Sequence, residues 1–263
     1  MLPFKKILFP VDFSEQSRGA ARYVEAFTGR FNAALTLLSA SDPRYNDLLP
    51  DDIVHRRHRL ETFFGEEFEY DQVERVLAEG EPASNIINLA NAGHFDLIMM
   101  PTHGLGGFRR FLIGSVTAKV LHDADCPVWT GVHLEQAPTL EKIVFKNFLC
   151  AVNMQPYSKK VIDCAVEFAD EYRANLTVVH VVPVAVGVEA IKQQIAEWLG
   201  PAAEKVSIRV ESGETATAIA VLATETDADL LVIGRNPAPG VFGRLRTDAY
   251  SVIRQSPCPV ISV

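Results

Sequence analysis

The chain repeats itself at the length of a whole domain. KKILFPVDFS at residues 5–14 carries the apolar pattern of KNFLCAVNMQ at 146–155, and AALTLLSAS (33–41) lies over ANLTVVHVV (174–182) in the same register. Further on, GEPASNIINLANAGHFDLIMM (80–100) matches GETATAIAVLATETDADLLVI (213–233), and CPVWT (126–130) matches CPVIS (258–262). The second copy is shorter in its middle, where the first has a long charged stretch. A period this long is a domain duplication, because solenoid repeats run only about 20–50 residues. The 263 residues therefore divide into two homologous domains, 1–135 and 143–263, joined near the polar stretch GVHLEQAPTLEK (131–142). So short a join predicts that the two pack as an intrachain pseudo-dimer; a homodimer of the chain is left open.

Inside each copy the hydrophobic period alternates. In the first, Ile7–Val11, Leu35–Leu38, Val73–Ala78, Leu97–Met100 and Val128–Thr130 read as short apolar strands, with helical patterns between them. Strands that alternate with helices predict an α/β domain with a parallel sheet covered on both faces. Ser14 before Glu15 reads as an N-cap for a helix that directs Ala20, Ala21, Val24 and Phe27 inwards. Pro82 and Ala83 open another, with Ile86, Ile87, Leu89 and Ala90 expected inside. Asp51–Phe68 reads as a charged amphipathic helix, bent or broken near Gly65, with a solvated polar face.

Composition excludes several classes. Hydrophobic residues make up 48% and charged residues 22%, the balance of a folding globular chain. A formal net charge of -8 gives no general basic footprint for nucleic acid. The first residues, MLPFKKILFPVDF, lack a signal-peptide pattern, and no apolar run approaches the ~18 residues of a membrane span, so the expected location is cytoplasmic, away from membranes. The four cysteines, at 126, 150, 164 and 258, have no metal-like spacing and sit in or beside apolar runs, as buried reduced thiols do. His55 and His58 lie i, i+3 within HRRHR but have no third ligand nearby, so solvated charge is the reading there and no metal site is assigned.

The stretch that carries chemistry is PTHGLGGFRRFLIGSVT, residues 101–117, at the carboxyl end of the fourth strand. Ligands of open parallel sheets sit at such ends. A helix starting at Gly114-Ser115 offers N–H groups and a positive dipole end to an anion. The P-loop pattern GxxxxGK[ST] is absent, and the first strand is followed by PVDFSEQS, which has none of the glycines of the dinucleotide fingerprint.

These residues resemble the universal stress protein family, and the resemblance covers both copies almost end to end. Its ATP-binding branch carries G-x2-G-x9-G-[ST] after the fourth strand. Here Gly104, nine residues, then Gly114-Ser115 match the last two elements, with His103 before and Val116-Thr117 after. Pro101 departs from the pattern, since it stands at the first glycine and has no N–H to offer. The resemblance implies two tandem Rossmann-like domains of the adenine nucleotide alpha hydrolase-like kind, each an open five-stranded parallel sheet with helices on both faces. It also implies adenine recognition by Asp12 in Pro10-Val11-Asp12 and by the backbone of Ala40, with Met100 at the strand end and ATP, carrying Mg²⁺ on its phosphates, as the ligand. Arg109 and Arg110 are either phosphate partners or solvated surface. His103 is the residue near enough to weigh as a base, so hydrolysis, if any, is expected to be slow.

In the second copy Asn153 stands at the position of Asp12, while Arg246 and Thr247 stand for Gly114 and Ser115, and Asn236-Pro237 for His103-Gly104. Each change weakens a nucleotide pocket, although Arg235, Arg244 and Arg246 leave room for a different anion. The expectation is one competent site and one degenerate domain. Two functions follow: an ATP-binding regulatory protein of the stress response, or a stress-associated interaction module that uses the pseudo-dimeric scaffold and binds no nucleotide. An ATP-pyrophosphatase is disfavoured, because its SGGxDS loop is replaced by DFSEQS.

Overall fold

The computed structural model describes residues 4–42, 53–63, 73–103, 113–131, 134, 138–184, 187–235 and 247–263. They form two compact units, Pro3–Ile143 and Val144–Val263.

In the first unit β1 (Lys6–Pro10), α1 (Glu15–Phe31), β2 (Ala34–Ser41), α2 (Ile53–Thr62), β3 (Val73–Glu79), α3 (Pro82–Ala92), β4 (Leu97–Pro101), α4 (Ser115–Asp123) and β5 (Val128–Gly131) follow one another. Every strand pairing is parallel, β2 with β3 and β1, and β4 with β1 and β5, giving the order β3-β2-β1-β4-β5. β4 is buried at all its positions, as a strand with both faces covered must be. The order reverses between β1 and β4, and that is where a crevice opens in sheets of this kind.

α1 starts as its sequence demands. The Ser14 hydroxyl accepts from Ser17 N, Glu15 sits in the first turn, and Ala20, Ala21, Val24 and Phe27 are buried on one face. Burying Phe27 alone is worth roughly 1.5–3 kcal/mol relative to exposing it. On α3 the expectation holds for Ile86 and Ala90, whereas Ile87 and Leu89 are half-buried because a single face of this helix meets the sheet. α2 covers 53–62 of the expected charged helix; residues 51–52 and 64–68 lie outside the described residues. Its polar face is not wholly solvated: Arg56 is buried and donates from Nη2 to the Ser39 carbonyl at 3.2 Å. His55 and His58 are exposed.

The second unit repeats the plan with β6 (Asn147–Val152), α5 (Ser158–Tyr172), β7 (Asn175–Val182), α6 (Val188–Leu199), β8 (Ser207–Ser212), α7 (Thr215–Glu225), β9 (Leu230–Ile233), α8 (Thr247–Gln255) and β10 (Val260–Ser262). Its parallel order is β10-β9-β6-β7-β8. The duplication reaches single dihedrals. Among the described residues, each non-glycine residue with positive φ in one domain has its counterpart in the other: Phe13 (62°) with Met154 (60°), Asn32 (47°) with Arg173 (53°), and His94 (50°) with Asp227 (47°). Bulky side chains rarely accept this region, so the shared chain path imposes it. The Asp96 carboxylate accepts from the N–H groups of Lys5 and Lys6 at 2.8 and 2.9 Å, and Asp229 does the same for Lys146 and Asn147 at 2.7 and 2.9 Å.

Candidate functional site

The chain leaves β1 through Val11, whose N–H donates to the Leu38 carbonyl at 2.9 Å, and so brings Asp12 to the end of the sheet. Asp12 Oδ1 accepts from Ser14 N (3.0 Å), Ser14 Oγ (2.6 Å) and Ser17 Oγ (2.6 Å). This Asx turn ties the carboxylate to the start of α1 and fixes its place.

Two bonds dock α4 against the end of β4, and a third ties that end to β5. Thr102 N donates to the Gly131 carbonyl (3.1 Å), Gly114 N to the Thr102 carbonyl (2.7 Å), and the buried Thr117 Oγ1 to the Pro101 carbonyl (3.0 Å). Pro101 therefore contributes as an acceptor, which its missing N–H does not impair. The helix begins at Ser115 with Gly114 as N-cap, so the Gly114 N–H is spent on Thr102 rather than turned to a ligand. What remains are the N–H groups of Ser115, Val116 and Thr117, which have no intrahelical acceptor. Among the described residues no side chain caps this end, and no acidic residue sits in the first turn. α1 and α3 of the same domain are both capped, by Ser14 and Glu81. The positive end of α4 is left for something else to compensate.

It faces a cavity of about 400 Å³. Pro10, Val11 and Asp12 at the end of β1, Ala40 on β2, Met100 and His103 at the end of β4, and Gly114, Ser115, Val116 and Thr117 at the start of α4 all line it. Gly104, Arg109 and Arg110 lie outside the described residues. The sequence reading missed Ser17, Leu38, Pro82 and Ile86, which complete the wall together with Pro101 of the glycine pattern. Ile86 had a signal, since it is an inward residue on the first turns of the helix that precedes β4. A Cβ at Gly114, where φ is an ordinary -61°, would come no closer than 3.5 Å to its neighbours, so packing does not require this glycine.

In the second domain the pocket has changed its lining rather than closed. A cavity of about 310 Å³ lies at the ends of β6, β7 and β9, bordered by Asn153 in place of Asp12. Asn153 Oδ1 accepts from Gln155 N (3.2 Å) and Ser158 Oγ (3.1 Å), and its Nδ2 donates to Tyr157 OH (2.6 Å). Arg235 is buried and its backbone N–H donates to the Val263 carbonyl at 2.8 Å. Asn236, Pro237, Arg244 and Arg246 lie outside the described residues. Among those described, no three of His, Cys, Asp and Glu gather as a metal site, and no helix is long and apolar enough to cross a membrane.

A parallel 3-2-1-4-5 sheet with a cavity at its switch point defines a doubly wound α/β domain, here present twice in architecture. The universal stress protein family model matches residues 3–130 and 186–263, and the chain belongs to that family. The stretch between the two matches includes β6, α5 and β7, whose structure is nonetheless that of the first copy. Similar curated proteins include the universal stress protein in the QAH/OAS sulfhydrylase 3′ region of Thermus aquaticus, 32% identical over 132 residues, 48% of this chain and 96% of that protein. Universal stress protein MJ0531 of Methanocaldococcus jannaschii is 28% identical over 138 residues, 48% of this chain and 80% of its own length. The fold matches the crystal structure of a universal stress protein from Archaeoglobus fulgidus DSM 4304, with a TM-score of 0.81 at 23% identity over 98% of both chains.

Proposed function

We propose that the chain is a cytoplasmic regulatory protein of the stress response whose first domain binds ATP. The observation that carries this reading is the uncompensated N-terminus of α4 opening onto a cavity whose other end is bordered by Asp12 and the Ala40 segment of β2. Phosphates take the N–H groups of Ser115, Val116 and Thr117, where the dipole and the hydroxyl of Ser115 favour negative charge. Adenine lies towards Asp12 and Ala40, with Ile86 and Met100 as apolar walls. Mg²⁺, when present, supplies charge neutralisation on the phosphates and is carried by them, since the described lining residues form no ligand cluster of their own.

The test is the nucleotide content of purified protein, followed by titration of the emptied chain with Mg-ATP. About one adenine nucleotide per chain is expected, and Gly114→Val, whose Cβ would meet nothing closer than 3.5 Å, should weaken binding by at least about tenfold while thermal stability is kept. The second reading, an interaction module without nucleotide, is favoured by one feature, Pro101 at a position where the family pattern has glycine. An empty protein that takes up no Mg-ATP would establish it.

A further inference from the structure

We infer that the second domain's cavity seats an unphosphorylated nucleoside, with Asp248 holding the place that a phosphate takes in the first domain. The inference rests on the nucleotide reading of the first domain, because it treats the second cavity as the same seat with one end rebuilt. At the base end the two correspond. Val152, Asn153 and Val179–Val181 stand where Val11, Asp12 and Leu38–Ala40 stand, and Ile219 and Ile233 replace Ile86 and Met100. This end keeps its shape and its apolar walls.

The other end differs in charge. The register that lays CPVWT over CPVIS places Asp248 at the position of Val116, in the first turn of α8, and Asp248 lines the cavity. A carboxylate there supplies the negative charge that the helix N-terminus attracts. A phosphate arriving at that end meets the like charge of Asp248. A carboxylate there can accept hydrogen bonds from sugar hydroxyls.

The remaining polar groups fit an uncharged ligand. Gln155 N and Ser158 Oγ hold Asn153 Oδ1, so Nδ2 faces Tyr157 OH and the tyrosine keeps its own proton to donate. His180 donates from Nδ1 to the Val152 carbonyl (2.8 Å), which assigns Nε2 as its second hydrogen-bonding atom. The Tyr157 ring lies against Gly234, where an added Cβ would come within 2.7 Å of Cε2, and gives the cavity an aromatic wall. Among the described residues lining it there is neither lysine nor arginine.

The experiment uses the full chain saturated with Mg-ATP and titrates adenosine, guanosine, cytidine and uridine by calorimetry. One of the four should bind once per chain, at least about tenfold tighter than its own 5′-monophosphate at that site. Asp248→Asn, at an exposed position, should reduce that preference to less than about threefold with the fold kept, and Tyr157→Ala or Ile219→Trp should remove nucleoside binding while ATP binding persists. Failure of all four nucleosides, or equal affinity for the monophosphate in the unaltered chain, overturns the inference. If the chain takes up no ATP yet binds a nucleoside that Ile219→Trp abolishes, the first-domain reading fails and this one stands.

Discussion

At Glu81 a single carboxylate closes a helix end and a pair of hydrogen-bonded side chains. It accepts from Ala83 N (3.1 Å) and Ser84 N (2.9 Å), and Lys119 Nζ lies 2.8 Å from Oε2. Lys119 first, and then the Ser84 hydroxyl, hold its pKa down to about 2 from an ordinary 4.5. A pKa lowered in the folded state adds stability that is present above about 4.5 and lost as pH falls towards about 2. Lys119 and Glu81 side chains are 46% and 37% exposed, so water and salt screen the pair and its contribution is modest. Glu81→Gln should flatten the loss of stability across that acid window, measured as urea midpoints at stepped pH; an unchanged slope would assign the acid sensitivity to other groups. Glu214 caps α7 in the same way, and its pKa is also lowered, chiefly by the Thr217 hydroxyl. Sequence reading placed the helix start at Pro82 and passed over Glu81, because glutamate is not among the preferred N-caps. The repeated Gly-Glu of 80–81 and 213–214 was the available signal.

Two helices at equivalent places, α4 and α8, differ in how their N-termini are compensated, and that difference divides the two cavities. α1 shows another constraint that only neighbours in space impose. Gly19 lies in the helix interior, where glycine costs roughly 1 kcal/mol relative to alanine. A Cβ there would overlap the Leu134 carbonyl oxygen and crowd the rest of that residue's backbone. Gly19→Ala should therefore destabilise the chain by about 2 kcal/mol, despite its better helix propensity, because backbone cannot yield as a side-chain tip can. Chemical denaturation checks this, and a stabilised variant would mean that the 134 segment does not sit on α1. α2 is held through Arg56 on the Ser39 carbonyl and through Arg59, whose guanidinium carbon lies 4.3 Å from the Phe13 ring centroid. Phe13 reaches that place by adopting φ of 62°, a conformation that periodicity does not disclose.

For the molecule as a whole, the hydrophobic interior governs what the thiols can do. None of the four cysteines is in a disulfide; Cys150, Cys164 and Cys258 are buried and Cys126 is half-buried. Burial pushes the Cys150 thiol far up, Cys164 up to about 12 and Cys258 up to about 11. At pH 8 the native chain should react rapidly with a thiol reagent at no more than one site, Cys126, and at all four after denaturation. Fast labelling of two or more native thiols would show local opening of a core strand or helix. The sequence by itself determined the duplication and the parallel α/β plan, and it named residues from Pro10 to Thr117 that line one cavity. Strand and helix periods are local properties of the chain, and loops at strand ends carry their glycines and carboxylates in short, readable stretches. Only the tertiary structure decided that Gly114 spends its N–H on Thr102, that Pro101 serves Thr117 as an acceptor, and that Arg56 is buried. It also decided that the second domain keeps a cavity with Asp248 at its mouth rather than closing it. These outcomes depend on which atoms meet across elements far apart in sequence, and a one-dimensional pattern carries residue types but not the partners their donors and charges will find.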